Sequence, residues 1–297
     1  METTRIGLAL RLIFFFGLEL IGLKVFATVI FELFGYLPAG MLGTFLAATV
    51  ANAIVVRIWE RGRLEDVGMG WNRASQRHLW LGFLFGCGAG LLVCLLPITW
   101  GAAEFAPNGN FRIDSLLLLS IGLLFGAVGE ELLFRGYGFQ VLLGVLGPWP
   151  VIIFFGFLFA GAHRDNLNAN TLGLVNTGLW GFLLGYAFWR SGDLWLPIGL
   201  HFGWNLVLPV LGAHLSGFTM GVTGIELRGK GDALWSGGAY GPEASVLTTI
   251  VVVLLTAALY RTRFERQTVF LVEGRKGGND DAAPGTPADS DAGSDGR

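Results

Sequence analysis

Charged residues are scarce in this sequence. Asp, Glu, Lys and Arg make up 14% of its 297 residues, whereas an ordinary soluble domain has about 25%. A soluble globule of this size could not cover its surface with so few charges, which excludes that class of protein. The formal net charge of -2 excludes the basic surface of a nucleic-acid-binding protein, so no nucleic-acid partner is expected.

Cysteine is also rare, with two residues in the chain. Cys87 and Cys94 stand seven residues apart in one apolar run, which on a helix is too far for a disulfide between them. A disulfide scaffold is therefore excluded, and neither cysteine belongs to a metal-binding pattern. We expect two buried free thiols.

Long apolar runs are what the sequence has in abundance, since 53% of its residues are hydrophobic. A run of about 20 apolar residues is typical of a transmembrane helix. The sequence thus predicts an all-α, polytopic transmembrane helical bundle of about eight spans. The predicted spans are Ile6–Leu33, Gly40–Trp59, Leu79–Trp100, Ser115–Leu146, Pro150–His163, Thr171–Trp189, Leu194–Leu211 and Ser245–Tyr260.

The orientation of the bundle is predicted from its arginines, because Lys and Arg concentrate in cytoplasmic segments. With eight spans, three arginine-containing regions fall on one side, which places both termini in the cytoplasm. We expect an integral protein of a microbial plasma membrane, with access to its interior from the cytoplasmic side. The arginines are Arg5 and Arg11, then Arg57, Arg61, Arg63, Arg73 and Arg77, then Arg261, Arg263 and Arg266.

The chain divides into four predicted regions. Residues 1–114 form an N-terminal three-span region, and residues 115–212 form a core that contains the polar motifs described next. Residues 213–273 form a Gly-rich outer loop and the last span. Residues 274–297 contain mostly Gly, Ala, Asp, Ser and Pro, too little apolar surface to fold, so an acidic disordered tail is expected.

Ionisable side chains within spans are costly and mark functional sites by default. The fourth run contains Glu130, Glu131 and Arg135. Glu131 and Arg135 are four residues apart, so they share a helix face and are predicted to form an ion pair. Glu130 points about 100° away from that face and should meet another helix. His78 and His214 lie near span ends, where an interfacial position is expected.

One histidine is predicted to lie level with Glu130, while the depth of His201 is not fixed by the sequence alone. Glu130 lies 17 residues before Gly147, and His163 lies 16 residues after it. If the chain folds back at Gly147 as an antiparallel helix pair, these two residues are level within about 1.5 Å. His201 and Asn205 are four residues apart and stack on one face of a third helix.

These residues resemble the three motifs of the CPBP family, the CAAX-protease and bacteriocin-processing enzymes, also called the ABI family. The resemblance covers about residues 115–210, so region 115–212 is predicted to be the catalytic core. It implies an intramembrane endopeptidase that acts on a membrane-associated peptide or a lipidated, CAAX-like protein, in contact with membrane lipid. The motifs are Glu130-Glu131-x-x-x-Arg135, Phe159-x-x-x-His163 and His201-x-x-x-Asn205.

Peptide hydrolysis needs an activated water and a stabilised oxyanion. We expect Glu130 to act as the base, His163 to orient the water, and His201 with Asn205 to stabilise the oxyanion. The supporting residues are Glu131, Arg135 and Phe159. No cofactor is required by this scheme, and no metal site is firmly predicted. Zinc on Glu130, His163 and His201 is the alternative, because two His and one Glu is a known catalytic zinc set.

Two other functions stay open at this level. One is a non-catalytic membrane protein on the same scaffold, such as an immunity or partner-binding factor, because fold resemblance alone does not establish chemistry. The other is a proton-coupled transporter that uses Glu130 and His163 as a relay. The sequence has no visible internal repeat of the kind that transporters carry, so we rank the transporter last.

Overall fold

A computed structural model describes residues 5–273 of the chain. Its α-helices are α1 (Arg5–Phe34), α2 (Tyr36–Val55), α3 (Arg73–Thr99), α4 (Ile113–Arg135), α5 (Tyr137–Leu146), α6 (Pro148–Ala162), α7 (Thr171–Ser191), α8 (Trp195–Val210), α9 (Ala233–Ser236), α10 (Val246–Arg261) and α11 (Phe270–Glu273). A π-helical turn, Val56–Glu60, extends α2. Short 3-10 turns span Leu64–Val67, Gly238–Tyr240 and Pro242–Ala244. Two strands are β1 (Ala103–Phe111) and β2 (Thr223–Gly229).

The predicted all-α membrane bundle is confirmed, because a helical segment stands at each predicted apolar run. Five segments are long and apolar enough to cross a membrane: Arg5–Phe34, Tyr36–Glu60, Arg73–Thr99, Ile113–Leu146 and Thr171–Ser191. The helices α6, α8 and α10 are shorter, with 15, 16 and 16 residues. The total of eight spans stays a prediction. The expected disordered tail, 274–297, lies outside the described residues.

The fourth predicted run is interrupted at Gly136, where α4 ends and α5 begins. Asn52 of α2 occupies this break: its side-chain amide donates to the carbonyl of Leu132 at 3.1 Å and accepts from the amide of Tyr137 at 2.8 Å. A Cβ on Gly136 would lie 2.3 Å from Oδ1 of Asn52, so only glycine fits there. The break lies beyond Glu130 and Glu131, so both glutamates stand on one continuous helix.

The sequence analysis missed a two-stranded antiparallel ribbon. β1 and β2 pair from Ala103 with Gly229 to Phe111 with Thr223, with an irregular register between Pro107 and Phe111. The ribbon joins the connection after α3 to the long connection after α8. It was missed because β1 contains Pro107 and Gly109 and neither strand has a clean alternation of apolar residues. The predicted outer loop is therefore partly ordered by pairing.

Helices α3 and α8 pack at very short range through glycines. A Cβ on Gly86 would lie 2.2 Å from the Leu200 carbonyl oxygen, and a Cβ on Gly199 would lie 2.2 Å from the Leu79 carbonyl oxygen. Small residues let helix backbones approach in this way. This packing fixes the depth of α8, and with it the depth of His201.

We expect Gly86→Ala to lower the free energy of unfolding by about 1–3 kcal/mol, because the added methyl group must push two backbones apart. Gly88→Ala is the matched control, since a Cβ on Gly88 meets nothing within 4 Å. Thermal unfolding of both variants in the same detergent checks the prediction. Equal unfolding temperatures for the two variants would contradict it.

One end of the bundle, here called the loop end, gathers the connections between α1 and α2, between α6 and α7, and between α8 and α10, together with the ribbon. The ring of Tyr36 lies 5.6 Å from the ring of Phe218. The side chain of Asn168 donates to the carbonyl of Ala239 at 3.4 Å. These contacts place segments far apart in sequence on the same side of the bundle.

The opposite end, here called the arginine end, gathers the connection between α2 and α3, the turn between α7 and α8, and the segment after α10. The amide of Leu194 donates to the carbonyl of Gly68 at 3.0 Å, and that of Gln267 donates to the carbonyl of Ser191 at 2.7 Å. The arginines used to predict orientation all stand on segments of this end. Arg190, in the last turn of α7, joins them.

His78 differs from its expected interfacial position. Its ring is buried, and Nδ1 lies 2.6 Å from Oδ2 of Asp193. The other carboxylate oxygen of Asp193 accepts from the backbone amide of Trp195 at 3.1 Å. The pair thus ties the start of α3 to the start of α8. Sequence reasoning missed it because the partners are 115 residues apart.

Candidate active site

The structure places Glu130 beside His163, as the fold-back at Gly147 predicts, and also beside His201, whose depth the sequence left open. Oε2 of Glu130 lies 3.9 Å from Nε2 of His163 and 3.8 Å from Nε2 of His201. The three side chains come from α4, from the residue that follows α6, and from α8. The fold-back at Gly147 brings the first two together, and the packing of α8 supplies the third.

Glu130 Oε2 is a buried oxygen to which no residue in 5–273 donates a hydrogen bond. A buried polar atom without a partner is rare in native proteins and often has a catalytic role. Distances of 3.8 and 3.9 Å exceed a hydrogen bond, but a water at about 2.8 Å from each atom fits such a gap. The carboxylate is therefore suited to bind and deprotonate a small molecule between itself and the imidazoles.

Both histidine rings are oriented through their Nδ1 atoms. Nδ1 of His163 lies 2.8 Å from the carbonyl oxygen of Phe159, and a carbonyl can only accept, so this nitrogen donates. Nδ1 of His201 lies 2.9 Å from Oε1 of Glu131, and a carboxylate likewise accepts. In both rings Nε2 is therefore the nitrogen left to act on Glu130 or on a substrate.

The predicted ion pair of Glu131 with Arg135 is confirmed. Nη1 of Arg135 lies 3.2 Å from Oε1 of Glu131, and both side chains are fully buried. Nη2 of Arg135 donates to the Gly181 carbonyl at 2.7 Å, and the guanidinium lies 4.9 Å from the ring centre of Phe159. Arg135 thus holds Glu131, which in turn holds His201. Glu131 and Arg135 thus act on the histidine-bearing helices, whereas Phe159 also lines the cavity.

A cavity of about 730 Å³ contains the proposed reacting groups. Glu130, His163, His201 and Asn205 all line it. The side-chain amide of Asn205 makes no hydrogen bond to another described residue, so it is available to a ligand. Much of the remaining wall is apolar and includes Met41, Leu123, Phe134, Trp180 and Trp204. A small polar cluster in an apolar cavity is the usual form of a substrate site.

The cavity reaches the loop end of the bundle. Its lining includes Tyr36, Asn166, Ser216 and Phe218, all on loop-end segments. No lining residue belongs to the connections of the arginine end. The cavity is therefore lined from the loop end of the bundle, and the expected access from the cytoplasmic side stays a prediction.

Glu243 is a cavity residue that sequence reasoning missed. It stands in the 3-10 turn before α10 and accepts a hydrogen bond from Nε1 of Trp204 at 3.2 Å and another from the amide of Ser216. It thereby connects the loop-end segment to α8 beside the reacting groups. Its position next to Pro242 in an irregular, Gly-rich stretch gave no periodic signal. A half-buried glutamate with these two donors can be recognised there only from the folded structure.

Burial raises the pKa of Glu243 above its ordinary value of 4.5. A carboxyl with a raised pKa binds its proton more tightly in the folded than in the unfolded state, so its contribution to stability falls as the pH rises above about 4.5. Glu243→Gln has no titrating carboxyl group, so its stability does not fall with pH in this way. We expect the unfolding temperature of Glu243→Gln, relative to the unsubstituted protein, to increase from acidic to neutral pH. A pH-independent difference would contradict the prediction.

The donor types of a zinc site are present in Glu130, His163 and His201. Within residues 5–273, however, no group of three His, Cys, Asp or Glu side chains is arranged so that it could hold a metal ion. Tetrahedral zinc with bonds of about 2.0–2.2 Å places neighbouring ligand atoms about 3.4 Å apart, whereas Oε2 of Glu130 lies 3.9 and 3.8 Å from the two imidazole nitrogens. The side chains would have to move closer together to hold zinc, and zinc stays the alternative to the glutamate scheme.

Comparison with known proteins identifies the region that holds the site. Residues 112–207 match the family model described as "Rce1-like: Type II CAAX prenyl endopeptidase Rce1-like". The match contains all three motifs and nearly coincides with the predicted core 115–212. The comparisons with curated proteins and with solved structures found no match. The resemblance to the CAAX proteases, inferred from the motifs, is thereby confirmed.

Proposed function

We propose that this protein, whose residues 112–207 resemble the Rce1-like CAAX endopeptidases, is an intramembrane endopeptidase in which Glu130 activates the hydrolytic water. The observation that carries the proposal is the position of Glu130 Oε2. It is buried without a protein donor and faces Nε2 of both His163 and His201 at the wall of the cavity. A carboxylate so placed can take a proton from water, as general base catalysis requires.

In the first step, Glu130 accepts a proton from the water while the water oxygen bonds to the substrate carbonyl carbon. The carbonyl becomes an oxyanion, and the Nε2 proton of a protonated His201 and the amide of Asn205 are placed to stabilise it. In the second step, the carbon–nitrogen bond breaks and Glu130 returns its proton to the departing nitrogen. Nε2 of His163 accepts from the water and sets its direction of attack.

The cavity wall supports an apolar peptide or a lipidated protein as substrate. Rings of Phe134, Phe159, Trp180 and Trp204 border the polar cluster, and these contact apolar chains more favourably than charged ones. Glu243 adds a carboxyl group at the loop end of the same cavity. The substrate would therefore be held by apolar contacts around the scissile bond, within the membrane.

We expect peptide cleavage by the purified protein to survive a strong chelator, because no step depends on a metal. The measurement is cleavage of a prenylated C-terminal peptide and of a pool of membrane peptides in detergent, with and without the chelator. Glu130→Gln serves as the inactive control. Loss of cleavage on chelation, with recovery on adding zinc, would replace the glutamate mechanism by a zinc mechanism on Glu130, His163 and His201.

A further inference from the structure

The cavity has its rim at the end of the bundle that carries few cations. The basic residues on loop-end segments are Arg112, Arg164, Arg228 and Lys230. Those at the arginine end are Arg5, Arg11, Arg57, Arg61, Arg63, Arg73, Arg77, Arg190, Arg261, Arg263 and Arg266. Cytoplasmic ends of spans are enriched in Lys and Arg over short connections. This asymmetry places the arginine end in the cytoplasm.

Contacts between segments far apart in sequence hold these arginines at one end. Near the start of α3, Nη1 of Arg77 lies 3.6 Å from Oε2 of Glu265, which stands in the segment after α10. The side chain of Asn72 also donates to Gln267 at 2.9 Å. Arginine-containing segments from distant parts of the sequence therefore lie together at one end of the bundle. The loop end then faces away from the cytoplasm.

The rim also opens toward lipid. Phe31 and Tyr36, at the junction of α1 and α2, line the cavity and are 49% and 64% exposed. Thr28, one turn earlier on α1, is likewise exposed and lines the cavity. In a membrane, exposed apolar side chains at this position contact acyl chains. A substrate anchored in the bilayer can reach Glu130 past them without leaving the membrane.

We infer that the protein takes its substrate from the non-cytoplasmic side, and that this substrate is a membrane-anchored segment of a protein that has already been translocated. The inference rests on the proposed function for the cleavage and on the fold for the orientation. A prenylated tail that stays in the cytoplasm would have to cross the bilayer to reach the rim. An apolar segment held in the outer leaflet would meet the rim directly.

Orientation is tested by cysteine labelling, which needs no catalysis. In a background with Cys87→Ala and Cys94→Ala, Thr219→Cys and Asp165→Cys place exposed thiols at the loop end, and Gln76→Cys places one at the arginine end. We expect a membrane-impermeant maleimide to label the two loop-end thiols in intact cells and the third only after lysis. The reverse pattern, or equal labelling of all three, would overturn the inference.

The substrate class is tested in the same cells with two single-span reporter proteins, one with its cleavable segment at the outer face and one at the cytoplasmic face. We expect cleavage of the first alone and its loss in Glu130→Gln. Cleavage of the cytoplasmic-face reporter alone would overturn the inference. Expected labelling without cleavage of either reporter would support the orientation while contradicting the substrate class and the proposed function.

Discussion

Glu130→Gln is expected to reduce peptide cleavage by about 10²- to 10⁴-fold or more, the range over which a positioned general base accelerates reactions. The amide has the shape of the carboxylate but cannot accept a proton from water at neutral pH. Glu130 is partly accessible from the cavity, with 28% of its side chain exposed. The measurement is the rate of cleavage by purified protein in detergent, compared at equal amounts of folded protein.

Folding of the Glu130→Gln variant should be unaffected, because no residue of the described chain donates a hydrogen bond to Glu130 Oε2. Its unfolding temperature should match that of the unsubstituted protein. Glu32→Gln is the matched control, since Glu32 is exposed on α1 and lies outside the cavity lining. Cleavage at the original rate by Glu130→Gln would reject a role as base and favour a non-catalytic protein on the same scaffold.

The features predicted correctly from sequence are those that local chemistry determines. Apolar runs specify helices in a membrane because every backbone polar group must be satisfied within its own segment. Glu130 and His163 lie at the same depth because they are almost equally many residues from the turn at Gly147, and an α-helix adds a fixed length per residue. The ion pair of Glu131 with Arg135 follows from a spacing of four residues on one helix.

The features missed depend on contacts between distant segments. His78 pairs with Asp193, and Asn52 fills the break at Gly136; neither partner is visible from its neighbours in sequence. Glu243 acquires its position from the fold of the loop end. The end of the bundle at which the cavity lies also depends on how the connections pack, which the arginine pattern does not reveal.

A large loss of stability is expected when the buried ion pair of Glu131 with Arg135 is broken. Arg135→Met should lower the free energy of unfolding by about 3–5 kcal/mol, because removing one partner leaves a buried charge uncompensated. The variant leaves the buried Glu131 carboxylate without its cationic partner and removes the donor to the Gly181 carbonyl. Unfolding by a denaturing detergent in mixed micelles measures the change. Arg112→Met is the control, since Arg112 is exposed and surface pairs contribute about 0–1 kcal/mol.

Combining Arg135→Met with Glu131→Gln separates stability from catalysis. The double variant has no buried charge at these two positions, so most of the lost stability should return, because an uncharged replacement of a buried pair is often close to neutral. The new amide oxygen can still accept from Nδ1 of His201 and keep Nε2 facing Glu130. We expect cleavage to recover only in part, because the neutral amide favours the protonated His201 ring less than the Glu131 carboxylate does. If stability returned while cleavage did not, the negative charge of Glu131 would itself be required, acting through His201 on the oxyanion rather than by holding the ring in place.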